Sequence, residues 1–281
     1  MANIRPFTVL WIHLCLVLML IILSSGCEKS VKGERRGKIY WANLFNNRIY
    51  QASPDGSNLK TFAKTGTWPD AVVVDEKNEL MYWTNMGDVE GTALNGSIQK
   101  CQMDNCIDST ITIVKKGNTA TPKQLSLDRV NGYIYWADRD RNLIQRCRLD
   151  GSAVEDILIL KDKSKVEPVG CEVDEQDNIL YWSEKATGRI GRVELTHLEI
   201  PYTPQGKNYI VLSGLRVPTE IKVDKNRQKI FIAERSGRIS SILISGGVPT
   251  PIVDTCLSQS VGLALDKKKA LFSFQNFNPR T

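Results

Sequence analysis

The sequence predicts an all-β fold: a six-bladed β-propeller of four-stranded antiparallel blades, with a five-bladed ring as the alternative. Three observations predict it. An aromatic-rich tetrad recurs as Tyr40-Trp41-Ala42-Asn43, Tyr82-Trp83-Thr84-Asn85, Tyr135-Trp136-Ala137-Asp138 and Tyr181-Trp182-Ser183-Glu184, with weaker copies at Phe231-Ile232-Ala233-Glu234 and Phe272-Ser273-Phe274-Gln275. Their first positions lie 42, 53, 46, 50 and 41 residues apart, the period of a unit of four short strands with loops of variable length. Beyond residue 27 no segment sustains a 3.6-residue apolar period, so nothing argues for a helical repeat.

Each strand of the unit has its own signal. The first ends on an acid: Asp75, Asp128, Asp174 and Asp224 stand seven residues before the tetrad's first aromatic, after stretches such as Ala71-Val72-Val73-Val74. Pro69, Pro122, Pro168 and Pro218 open it, as fits a first strand residue that need not donate to the ladder. A short polar turn such as Glu76-Lys77-Asn78 leads into the tetrad, which is the second strand. Segments like Arg189-Ile190-Gly191-Arg192 form the third. Turns with Asp55-Gly56 and Asp150-Gly151 lead to a fourth apolar strand such as Asp156–Leu160. One such sheet buries only part of its faces, so it needs neighbours. The expected role of Tyr40, Trp41, Tyr82, Trp83, Tyr135, Trp136, Tyr181 and Trp182 is packing within and between blades. The strands sum to 21, against 24 for six complete blades.

The chain of 281 residues divides into a leader over 1–27, a polar tether over 28–37 and the propeller over 38–281. Arg5 precedes an apolar run from Phe7 to Leu23, followed by Ser24-Ser25-Gly26-Cys27. That is the layout of a secretory signal. The ending resembles a bacterial lipobox, which implies lipidation of Cys27; a cleaved signal and an uncleaved signal-anchor are the other readings. All three place the propeller outside the cytosol, as a membrane-anchored envelope lipoprotein or a secreted protein. There, Cys101 and Cys106 form a possible disulfide across a short loop, with buried free thiols as the alternative.

The tetrads, with Leu149-Asp150-Gly151-Ser152, Pro54-Asp55-Gly56-Ser57, Val173-Asp174 and Val223-Asp224, resemble the YWTD repeat of low-density-lipoprotein-receptor-type propellers over about residues 38–274. The resemblance implies a ring that binds proteins and does no chemistry. It also implies that the tetrad's fourth residue makes hydrogen bonds between blades.

Composition points the same way. Two His in the whole chain, His13 and His197, leave no multi-His metal site and one candidate catalytic base. No Gly-x-Ser-x-Gly elbow exists to pair with it. A net charge of +6, scattered among acids, is no nucleic-acid footprint. No cofactor or metal is expected. One enzymatic alternative stays open: a divalent-cation-dependent lactonase or hydrolase, with Asn43, Asn85, Asp138, Glu184 and Glu234 offering oxygen ligands to Ca²⁺. An envelope glycan is the alternative to a protein partner. The loops joining strands two to three and four to one share one face and carry the more varied sequence. Phe45, Trp68, Met86, Arg139, Glu184 and Arg235 are therefore the expected ligand-binding residues around the channel mouth.

Overall fold

The computed structural model describes residues 37–88, 93–162, 165–254, 259–266 and 271–277. The leader, Cys27, Cys256 and most of the tether lie outside the described residues. Among the described residues twenty-one strands follow one another. The first blade holds β1 (Ile39–Asn43), β2 (Arg48–Ala52) and β3 (Lys60–Lys64). The second holds β4 (Pro69–Asp75), β5 (Leu80–Asn85), β6 (Ser97–Gln102) and β7 (Ile111–Val114). The third holds β8 (Pro122–Asp128), β9 (Tyr133–Asp138), β10 (Leu143–Arg148) and β11 (Glu155–Ile159). The fourth holds β12 (Pro168–Asp174), β13 (Ile179–Glu184), β14 (Arg189–Glu194) and β15 (Ile210–Leu212). The fifth holds β16 (Pro218–Asp224), β17 (Lys229–Glu234), β18 (Ile239–Leu243) and β19 (Thr250–Val253). A last pair, β20 (Gln259–Asp266) and β21 (Leu271–Phe277), forms a two-stranded sheet.

Six four-stranded blades are therefore not what the described residues build. Five sheets of three or four strands stand as blades, the count held as the alternative. Among the described residues the sixth repeat contributes its first two strands, and the first blade shows no counterpart of the Pro69–Asp75 strand. Within every sheet the pairing is antiparallel between consecutive strands. The first strands pack side by side: β4 on β8, β8 on β12, β12 on β16, β16 on β20, with β1 against β4. They are the inner wall of the ring.

Period-two alternation explains what the tetrad does. Adjacent residues of a strand point to opposite faces, so Tyr and Trp of one tetrad enter two different blade interfaces. Trp136 packs toward the second blade with Tyr82, Ile98 and Val114. Its neighbour Tyr135 packs toward the fourth blade with Cys171, Val173 and Trp182. Trp83 likewise meets Ile49 and Ala63 of the first blade. Tyr181 meets Ile221 and Ile230 of the fifth. Each of these aromatics is buried, and each contributes on the order of 2–3 kcal/mol by removal from water. In the first blade Trp41 is only half-buried and stacks on Tyr50 at 5.8 Å.

The strand-ending acids close the next turn. Asp128 accepts the backbone N–H of Asn131 at 2.9 Å and its side-chain amide at 2.8 Å. Asp75, Asp174 and Asp224 accept the equivalent backbone N–H groups of Asn78, Asp177 and Arg227 in their own turns. Asx-type turns of this kind are why Asp recurs there. Arg129 then ties three blades. It donates to the Val74 carbonyl at 2.9 Å, lies 3.5 Å from Asp75 and pairs with Glu175 at 2.7 Å.

Two connections are elaborated. In the second blade, the short helix α1 (Cys106–Ser109) lies between β6 and β7, and a Cys101–Cys106 disulfide with Cα atoms 4.9 Å apart holds it. In the fourth blade, the long 195–209 connection crosses to the third. Tyr202 exchanges backbone hydrogen bonds with Ile157 and Ile159 and covers part of the outer edge of β11. An uncovered edge strand is a template for unwanted pairing. No helix among the described residues is long and apolar enough to cross a membrane.

Candidate functional site

The loops after the second and fourth strands meet on one face, and a recurring hydrogen bond fixes them to each other. The backbone N–H after each tetrad donates to the carbonyl just before the first-strand proline. Met86 donates to Trp68 at 2.9 Å, Arg139 to Thr121 at 3.1 Å, Lys185 to Glu167 at 2.9 Å and Arg235 to Val217 at 2.8 Å. The face is thus a set of paired loops on a rigid frame.

The tetrad's fourth residue anchors this frame. Asp138 is buried and accepts Thr119 Oγ1 at 2.9 Å and the N–H groups of Ala120 and Thr121 at 2.8 and 3.1 Å. Those three residues belong to the connection arriving from the second blade. Glu234 accepts the Arg216 N–H at 2.8 Å in the same manner. Glu184 takes the indole N–H of Trp182 at 3.0 Å and the Thr187 hydroxyl. Asn43 accepts N–H groups within its own loop, from Phe45 and Asn46. The side-chain oxygens of Asn43, Asp138, Glu184 and Glu234 are thus taken by protein donors, whereas Asn85 donates its amide to Ser97 and Gln99 and keeps a buried Oδ1 without a hydrogen-bond partner. No group of three or more His, Cys, Asp or Glu side chains with metal-holding geometry exists among the described residues.

The expected binding residues separate into two groups. Phe45 (66% exposed) and Trp68 (42% exposed) stand on the face as large apolar side chains. Trp68 adopts φ +55°, a region costly for an aromatic residue. Its peptide is clamped on both sides, its N–H by Asn47 Oδ1 at 3.0 Å and its carbonyl by Met86. Arg235 is also exposed. Met86, by contrast, is buried, with its sulfur 2.9 Å from the Lys123 ammonium. Glu184 is buried too, and Arg139 is a half-buried partner of Asp140 at 2.8 Å. That hydrogen bond raises the Arg139 pKa above its ordinary value. These three side chains hold loops in place.

Two charge clusters escaped the sequence reading. At the mouth, Lys165 and Lys185 grip Glu167 at 3.1 and 2.9 Å. Burial opposes ionisation of Glu167, but the two lysines outweigh it and hold its carboxyl below the usual range. Deeper in, Lys222 on β16 sits 3.2 Å from both Glu172 on β12 and Glu220 on β16. Burial pushes the Glu220 carboxyl up to about 8. For Lys222 burial acts the other way, yet the attraction of Glu172 and Glu220 prevails and raises its pKa. The available signal was a charged residue at an inward position of an otherwise apolar strand. Cys147 and Cys171 are buried free thiols; burial lifts Cys147 to about 12 and Cys171 well above its usual value, so neither is a nucleophile at neutral pH. On the outer rim a cleft of about 420 Å³ opens between the second and third blades, lined by Leu94, Asn118, Arg141, Asp156, Ile200 and others.

No protein-family model matches the chain. A stretch of 96 residues is 40% identical to a protein of Pyricularia oryzae named low-density lipoprotein receptor-related protein 1, covering 34% of this chain and 31% of that protein. Another of 98 residues is 28% identical to a 3-hydroxyacyl-CoA dehydrogenase-like protein of Cochliobolus heterostrophus, covering 35% of this chain and 20% of that one. The chain thus matches less than a third of the length of either relative. Among solved structures, a chain of a nidogen/laminin complex superposes with a TM-score of 0.68 at 15% identity, over 85% of this chain and 84% of that one. A gluconolactonase of Xanthomonas campestris superposes with 0.62 at 14% identity, over 86% and 80%. An auxiliary nutrient binding protein of Bacteroides thetaiotaomicron gives 0.65 at 11% identity, over 84% and 63%. At such identities the superpositions speak for the fold. They show that the chain is a β-propeller, and the recurring tetrad buried at its blade interfaces is what resembles the low-density-lipoprotein-receptor type.

Proposed function

We propose that the chain is a non-enzymatic binding scaffold that works outside the cytosol and holds a protein partner on its loop face. The observation that carries this reading is the exposed pair Phe45 and Trp68 on a face whose loops are clamped to one another. Rigid aromatic side chains give contact area at small entropic cost and are enriched among interface hot spots. The nidogen/laminin likeness is in keeping with a protein partner. The Cys101–Cys106 disulfide fits an oxidising compartment, and membrane attachment through Cys27 belongs to the same proposal. The test is capture of envelope and secreted proteins on the full-length chain, scored against Phe45→Ala and Trp68→Ala variants of unchanged urea midpoint. Loss of a specific captured protein in the variants is expected. Capture indifferent to both substitutions overturns the reading.

The likeness to a gluconolactonase favours a second reading, a cation-dependent hydrolase. Calorimetric titration of the chelated protein with Ca²⁺ separates the two. The scaffold reading expects no stoichiometric heat, because Asp138, Glu184 and Glu234 already accept protein hydrogen bonds.

A further inference from the structure

The loop face has a charge that its scattered residues conceal. Over the described residues, the loops after second and fourth strands hold ten Lys and Arg against five Asp and Glu, a balance of +5. Lys163 and Glu90, in the same loops but outside the described residues, cancel. Residues 38–281 as a whole carry 32 Lys and Arg against 29 Asp and Glu, only +3. The rest of the propeller is therefore slightly acidic, and the positive excess belongs to this one face.

Its cations are of two kinds. Some are neutralised in place, as Lys116 by Asp88 at 3.6 Å and Lys185 by Glu167 at 2.9 Å. Lys115, Lys161 and Arg216 are exposed and have no ion-pair partner among the described residues. They lie on the connections into the third, fourth and fifth blades, spread along the ring away from Phe45 and Trp68. A ligand spanning the face meets an apolar anchor first and separate positive points beyond it.

We infer that the partner of this face is an acidic polypeptide that adds carboxylates opposite Lys115, Lys161 and Arg216 to an apolar contact on Trp68 and Phe45. This rests on the binding-scaffold reading above. A neutral glycan has no use for the positive excess. A nucleic acid or sulfated glycan calls for a continuous run of cations, whereas Lys115, Lys161 and Arg216 stand on three separate connections. Complementary potentials of this kind govern encounter and partner choice.

The test uses the full-length chain against three immobilised probes: a random glutamate–tyrosine copolymer, heparin and an oligothymidylate. The copolymer is expected to bind, weakening about tenfold between about 50 and about 300 mM salt. The double variant Lys161→Glu/Arg216→Glu, with an unchanged urea midpoint, is expected to weaken it about tenfold more. Copolymer binding indifferent to that charge reversal overturns the inference. So does tighter binding of heparin or oligothymidylate, which assigns the face to a polyanion instead. Neither result bears on the protein captured through Trp68, so the scaffold reading stands or falls separately.

Discussion

The indole N–H of Trp136 is shared between Thr119 Oγ1 and Gln145 Oε1, both at 3.1 Å. Trp83 repeats the pattern with Gln99 Oε1 at 3.0 Å. Each glutamine lies directly across the ladder from its tryptophan. In the fourth blade the residue across from Trp182 is Gly191. There the indole N–H turns to Glu184, and the ring stacks on Tyr209 at 5.7 Å. A Cβ on Gly191 would come within 2.3 Å of the indole. Gly191→Val is therefore expected to cost about 2–4 kcal/mol by overpacking, read as a lowered urea midpoint; a cost under about 0.5 kcal/mol would sink this account of the glycine. Asp138→Ala removes the acceptor for two buried N–H groups and a hydroxyl, and about 2–4 kcal/mol of destabilisation is expected by the same measurement. These residues also show what the site hid from sequence. Met86 and Glu184 occupy loop-face positions by register, but their side chains turn under the loops. Spacing fixes a residue's face, whereas the direction of its side chain depends on partners such as Lys123 on β8 for Met86 and the loop hydroxyl of Thr187 for Glu184.

Strand β16 carries the most unusual pair of the inner wall. Glu220, 1% exposed, follows a register shift after Pro218 and faces Lys222, itself tied to Glu172 of β12. The folded-state pKa of Glu220, about 8, lies above that of a free glutamate, roughly 4.3. Between these values the unfolded chain has released the proton and the folded chain retains it, so stability falls as pH rises from about 4.5 to about 8. The unfolding free energy from urea titrations across that window is expected to decline in the wild type by on the order of 1–3 kcal/mol. Glu220→Gln should flatten the decline; an equal slope in the variant would refute the assignment. The short loop closed by Cys101–Cys106, which stand five positions apart, gives a comparable effect, about 2 kcal/mol from loop-closure entropy. Reduction should lower the midpoint accordingly. At this scale most of the fold was legible. Proline, acid and tetrad fix where each strand begins and ends, and Pro122–Asp128 and Tyr133–Asp138 fall where that pattern places them. The paired mouth charges were not legible, because Lys165, Glu167 and Lys185 meet across a loop whose shape no local pattern encodes.

A sheet of this ring has no core of its own. The cluster around Trp136 draws Ala71, Tyr82, Ile98 and Val114 from the second blade, and Leu125, Leu127 and Ile134 from the third. The cluster around Trp182 draws Tyr135, Ile144 and Ile157 from the third blade, and Cys171 and Leu180 from the fourth. Because Tyr and Trp of one tetrad face opposite interfaces, no blade from the second to the fifth can leave without opening two clusters. Stacked repeats whose interfaces outweigh their intrinsic stability unfold together. Equilibrium unfolding in urea should therefore be a single transition, coincident by tryptophan fluorescence and far-ultraviolet circular dichroism. Trp136→Ala should lower the unfolding free energy by about 3–5 kcal/mol, the cost of emptying a buried indole site, read as a lower midpoint. The slope of the transition should stay unchanged, since the same surface is still exposed in one step. A second, separate transition in that variant, or a shallower slope, would mean that the second and third blades part before the others. The interfaces would then be weaker than the sheets they join, and the tetrad would be a feature of single blades instead of the weld between them.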